Sequence, residues 1–257
     1  MSDAGLQAVY DALVECDPVE KCRKLGGVEI GEGIARVPRA QPVEAIPGRP
    51  PRPLLCHPRE MPKRSLGGPA GRAALLHAVA HIEFNAINLA LDAIWRFEAM
   101  PADYYHDWLS VARDEARHFG LCRQRLREMG LDYGELPAHD GLWEAAQKTA
   151  HDVLARMACV PRVLEARGLD VTPGMIERLR QAGDERSVAV LEVILHEEVR
   201  HVAIGTRWFR ELCAQRQLPP DPTFRDLLAR HQMQVRPPFN WPAREAAGFV
   251  RCELPGL

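Results

Sequence analysis

Apolar residues recur at intervals of three and four almost continuously after residue 70, and stretches that alternate apolar with polar are nearly absent. That period belongs to helices rather than strands. It predicts four long helices. Helix A runs from about Pro69 to Met100. Helix B runs from Pro101 to near Gly130, a glycine suited to the position just past a helix end. Helix C runs from Asp140, a candidate N-cap, to Gly168, and helix D from Asp184 to just before Pro219-Pro220. A short helix from Thr172-Pro173 to Gly183 separates C from D. Each long helix can exceed twenty residues, or about 30 Å. Upstream, a helix from Leu6 to about Cys22 is interrupted at Asp17-Pro18, an N-cap followed by proline at the first helical position. Residues 26–69 are rich in Gly and Pro and read as an extended strap held against the surface. The tail RPPFNWPAREAAGF has prolines at 237, 238 and 242, and its Phe239 and Trp241 predict docking with one helical turn. The expected fold is an all-α four-helix bundle with an N-terminal helix, a Pro-rich strap and a docked C-terminal tail.

Composition narrows the class. The chain has 257 residues, of which 46% are hydrophobic and 26% charged, a globular balance that excludes a disordered protein. Its length suits one large domain or a core with appended segments: residues 1–69 as helix and strap, 70–218 as bundle, 219–257 as tail. Lys and Arg number 33 against 35 Asp and Glu, so no global basic field draws nucleic acid, and a tRNA partner would need a local basic patch. No apolar run approaches a membrane span and no secretory leader is apparent, which makes the expected address cytoplasmic. The seven cysteines are odd in number, widely spaced and without a CxxC pair. That argues against a disulfide framework or a zinc ribbon and for packing residues.

The chemistry lies on the apolar faces. Glu83 of helix A sits among Leu76, Val79, Ala80, Ala86, Ile87 and Ala90. Glu115 and His118 interrupt a face of Trp108, Val111, Ala112, Phe119 and Cys122 on helix B. Glu198 and His201 do the same on helix D, and Glu165 follows Leu154, Ala158 and Pro161 on helix C. Glu83 precedes Glu165 by 82 residues, while Glu115 precedes Glu198 and His118 precedes His201 by 83. A lone glutamate followed by Glu-x-x-His thus occurs twice in step. About one Glu-x-x-His is expected by chance, so the pairing carries the signal. Buried carboxylates need a compensating charge, and two metal ions would supply it. Glu-x-x-His puts both donors on one helical face, one turn apart. Glu83, Glu115, His118, Glu165, Glu198 and His201 then offer six donors to two ions, against the alternative of cap glutamates and satisfied core histidines. Glu165 lies between Pro161 and Gly168 and is either a ligand or a helix-end residue. Glu197 competes with Glu198, which matches the spacing on helix B. His77 and His81 read as surface histidines or as groups behind the ligands, and Asp92 and Asp114 as acceptors that orient the ligand histidines. Arg123, Arg125 and Arg127 read as a solvated helix end or a phosphate-binding rim.

This ligand set resembles the ferritin-like di-iron carboxylate superfamily. More narrowly, HIEFNAI, DEARHF, EARGLDVTP, HEEVRHVAIG and RPPFNWPAREAAGF resemble the bacterial ferritin-like family known as domain of unknown function 455, over nearly the whole chain. A more distant similarity in ligand pattern and size is to the tRNA 2-methylthio-isopentenyl adenosine hydroxylase. The resemblance implies a ferritin-like bundle around two Fe ions, with Mn/Fe or Mn/Mn open because the same donors suit each. It implies O2 as a partner and an oxidase or monooxygenase acting on an unknown substrate, with the electron donor undetermined and a dimer open. The alternatives are an iron-handling ferroxidase and a non-catalytic bundle with a vestigial site.

Overall fold

In a computed structural model, residues 2–31, 46–61 and 65–254 are described; the middle of the expected strap, 32–45, and 62–64 lie outside them. The chain falls into two compact units, residues 1–141 and 142–257. Each is all-α among the described residues, with a single isolated parallel bridge between Leu55 and Ala138.

Unit 1 holds α1 (Ser2–Leu13), α2 (Pro18–Gly26), α3 (Pro69–Arg96), α4 (Ala102–Glu128) and the first residue of α5 (Gly141–Lys148). Asp17 caps α2, its Oδ1 accepting from the Val19 and Glu20 amides, with Pro18 at the first helical position. The predicted first helix is therefore two helices, parted at this cap. Lys21 ties them together by donating to the Ala12 and Leu13 carbonyls at the end of α1. α3 stops at Arg96, short of the predicted Met100. The Tyr105 hydroxyl donates to the Phe97 carbonyl and accepts the Met100 amide, which folds residues 97–101 into a tight link to α4. The short link lays α3 and α4 along one another. Against expectation, α3 is long and apolar enough to cross a membrane; most of it is buried inside the protein, as befits a core helix.

Unit 2 departs from the prediction more. Predicted helix C is three segments: α5, α6 (Val153–Cys159) and a π-helical turn (Val160–Glu165) that continues into α7 (Ala166–Gln181). Pro161 is the physical reason for the π turn. It has no N–H to bond the carbonyl four residues back, and its ring crowds that carbonyl. A π turn places the next bonds one residue further on and relieves both problems. Neither Gly168 nor Thr172-Pro173 breaks the helix, contrary to the predicted boundaries. Pro173 lies inside α7, and the Leu169 carbonyl it leaves without an intrahelical donor accepts from Asn240 Nδ2 of the tail at 3.1 Å. α8 (Glu185–Gln215) starts at the Asp184 cap, as predicted. α9 (Pro220–Arg230) was not predicted, because its prolines read as a helix end; they occupy its first turn, where proline costs no hydrogen bond. Further along the tail come α10 (Trp241–Ala246) and a 3-10 turn at Arg251–Glu253.

α7 and the π turn pack on α8. The approach is close at Gly205, where a Cβ would stand 2.3 Å from the Pro161 Cβ. The tail is fastened by Arg244, whose Nε and Nη2 donate to Asp170 Oδ1 and Oδ2 at 2.9 and 2.7 Å, fully buried. Phe249 lies between two guanidinium groups, 4.7 Å from that of Arg162 and 4.9 Å from that of Arg244.

Candidate metal centre

α3 and α4 bring Glu83, Glu115 and His118 together in unit 1. Their exposures are 5%, 2% and 0%. His118 Nδ1 stands 3.2 Å from Glu83 Oε2 and 3.3 Å from Glu115 Oε2. One ligand atom from each of the three lies within 4.8 Å of the others. Two donors about 2.1 Å from one ion stand about 3.0–3.4 Å apart, so the observed spacings suit a shared ion. Two carboxylate oxygens and an imidazole nitrogen are the donor types of iron, manganese and zinc.

The electrostatics point the same way. Burial and the neighbouring Glu115 charge push the Glu83 carboxyl well above its usual range, partly offset by His118. Burial would lower the His118 imidazolium, but hydrogen bonds and charge from Glu115 and Glu83 outweigh it and raise it to about 11. The cluster thus calls for positive charge at its centre, which without a metal only a proton can provide. Cys122, one turn beyond His118, is held as a thiol by burial and by both carboxylates.

Three aromatic rings form a wall within unit 1. Phe84 follows Glu83 and Phe119 follows His118; their rings are 5.6 Å apart and stand 5.6 and 5.0 Å from Tyr133. His77 and His81 are buried here and are not surface histidines. His81 Nδ1 is 2.9 Å from the Tyr133 hydroxyl and its Nε2 3.2 Å from the His139 carbonyl, and His77 Nε2 accepts the Gly134 amide. Burial lowers the His81 imidazole to about 4, so it stays neutral. Together the two histidines hold the 132–139 loop over the wall. Sequence reading missed Tyr133, since nothing around it in LDYGE marks a site.

Unit 2 carries the second Glu-x-x-His. His201 is fully buried and its Nδ1 is 3.0 Å from Glu198 Oε2, matching the Glu115–His118 pair on α4. Glu198, the residue that matches the spacing on α4, makes this contact. Glu165 is buried at the end of the π turn. Asp92 is buried and pairs with Arg96, and Asp114 pairs with Arg117. Arg123 and Arg127 both bind Asp132, and Arg125 binds Glu128, so these arginines are paired at the helix end.

The family model of a protein of unknown function, DUF455, matches residues 15–255. The chain belongs to the DUF455 family. A relative from Haemophilus influenzae (strain ATCC 51907 / DSM 11121 / KW20 / Rd), described as "Uncharacterized protein", is 43% identical over 263 aligned positions, covering 96% of this chain and 91% of the relative. No solved structure matches the chain. DUF455 membership therefore accounts for nearly all of the sequence, strap and tail included.

Proposed function

We propose that this protein is a di-metal carboxylate oxidase or monooxygenase of the ferritin-like kind, holding two iron ions and acting with O2 on a small organic substrate. The observation that carries the reading is the Glu83–Glu115–His118 cluster: two buried carboxylates and an imidazole with ligand atoms within 4.8 Å. Glu83, Glu115 and His118 would be one set of ligands, and Glu165, Glu198 and His201 the other. The repeated spacing supports this division, as does the matching Glu–His geometry on α4 and α8. When bound, ferrous iron supplies the electrons for O2 reduction. The chain's own residues do the rest. Glu83 and Glu115 hold the charge and set the donor geometry. His118 and His201 present Nδ1, which must be free of its proton to bind metal. Phe84, Phe119 and Tyr133, whose rings pack together beside α3 and α4, would keep bulk water from the unit 1 ligands.

The test is metal content by elemental analysis of protein purified without chelator or metal-binding tag, alongside Glu115→Ala and His201→Ala. About two Fe or Mn per wild-type chain, lost in both variants, is expected for a two-ion carboxylate site. Little metal in the wild type, not restored by anaerobic Fe(II), overturns the reading.

A further inference from the structure

The π turn ends on Glu165, and its second buried charge is Arg162. Arg162 is fully buried. Its guanidinium lies 4.5, 4.2 and 4.7 Å from the rings of Phe209, Phe224 and Phe249. None of its three nitrogens makes a hydrogen bond of good geometry. Its anionic partner among the described residues is Glu253, with Oε2 at 2.9 Å from Nη2 and equally buried. Glu253 is itself fixed: Oε2 accepts the Val250 amide at 3.0 Å, and Oε1 lies 3.4 Å from Arg210 of α8. A residue four from the C-terminus thus neutralises a charge three residues before a candidate ligand.

We infer that Glu253, acting through Arg162, is a positioning residue that holds the π turn in register and so presents Glu165 to metal. The inference rests on the metal reading proposed for this chain. A buried guanidinium without its carboxylate cannot stay among three phenyl rings. Arg162 would swing outward, and with it the turn it belongs to. Relaxing a π turn to α-helical register tightens the winding by about one residue's worth, a rotation of about 100° for the residues beyond it. That would carry the Glu165 carboxylate off its face. π turns are rare and concentrate at functional sites, and this one has a clamp from each side: the Gly205–Pro161 contact on α8 and the Arg162–Glu253 pair from the tail.

The experiment uses full-length, metal-free protein titrated anaerobically with Co(II) alone, comparing wild type, Glu253→Gln, Glu165→Gln and the double variant. Amide hydrogen exchange across residues 160–166 is measured on the same metal-free samples. A positioning role predicts that Glu253→Gln weakens one of two Co(II) sites about ten-fold or more, as Glu165→Gln does, and that the double variant is no worse than either single. Exchange in the π turn should rise in Glu253→Gln. Wild-type affinity at both sites in Glu253→Gln overturns the inference, and so does a double variant that loses a further ion. If Glu253→Gln does not fold, Glu253→Asp, which keeps the charge but shortens its reach, is judged by the same criteria. If the wild type binds no Co(II), the metal reading fails by itself; unchanged exchange in Glu253→Gln is what refutes the clamp.

Discussion

Replacing Glu83 by Gln should have opposite effects with and without metal. The change keeps the side chain's shape and removes one of two buried carboxylates. Their ligand atoms lie within 4.8 Å of each other. At an effective dielectric of about 20 their repulsion is then at least about 3.5 kcal/mol. Some of this is already relieved, because Glu83 is held towards its protonated form and His118 keeps its proton. The metal-free protein should therefore gain about 1–3 kcal/mol from Glu83→Gln, a rise of roughly 2–12 °C in melting temperature for a domain of this size. With metal bound the sign reverses, since the repulsion becomes the attraction that holds the ion and Gln is a weaker, neutral donor. Calorimetry of chelator-treated and anaerobically Fe(II)-loaded samples reads both arms. A variant that melts lower than wild type by the same amount in both forms would refute the reasoning. The three residues would then be a hydrogen-bonded triad whose job is to hold α3 to α4.

Two further outcomes concern stability. Asp170→Asn leaves Arg244 buried without its bidentate partner and should cost unit 2 about 3–5 kcal/mol in urea unfolding, whereas the apolar pair Asp170→Leu/Arg244→Met should cost far less. The Asp132 carboxyl would be raised by its partial burial, yet hydrogen bonds from Arg123, Arg127 and the Tyr133 amide hold it down to about 2. Its folded value lies below its unfolded one, so its contribution is complete above about pH 4 and is lost as pH falls towards 2. Asp132→Asn should thus melt lower than wild type at pH 7, with the gap closing between pH 4 and 2.

The long helices were legible because α3, α4 and α8 obey one period from end to end. Helix starts were legible where a side chain caps them, as Asp17 does for α2 and Asp184 for α8. α5 to α7 were not, because periodicity assigns a proline to a break. Whether Pro161 breaks, kinks or widens a helix depends on what packs against it, here Gly205, forty-four residues away. Pro173 deceived for the same reason, its cost being met by an asparagine from the tail. In the site, Glu83, Glu115 and His118 could be read because polar groups on an apolar stripe are conspicuous by their expense. Arg162, Glu253 and Asp170 are as expensive, but each is compensated by a residue distant in sequence, and no local spacing reveals that. Phe119 read only as part of the apolar face of helix B, and no local spacing joins it to Phe84 and Tyr133, whose rings it meets.

Pro173 gives α7 something most helices lack in their middle, a backbone carbonyl still open to an outside donor. Asn240 uses it as a socket. The docking address of the C-terminal segment is therefore written partly as a missing N–H. Substituting Pro173 by alanine would restore the donor, and the helix would compete with the tail for its own carbonyl. A change that strengthens α7 taken alone would loosen what it receives, and a library screened only for thermal stability would favour it while eroding the seat of Arg244 next door.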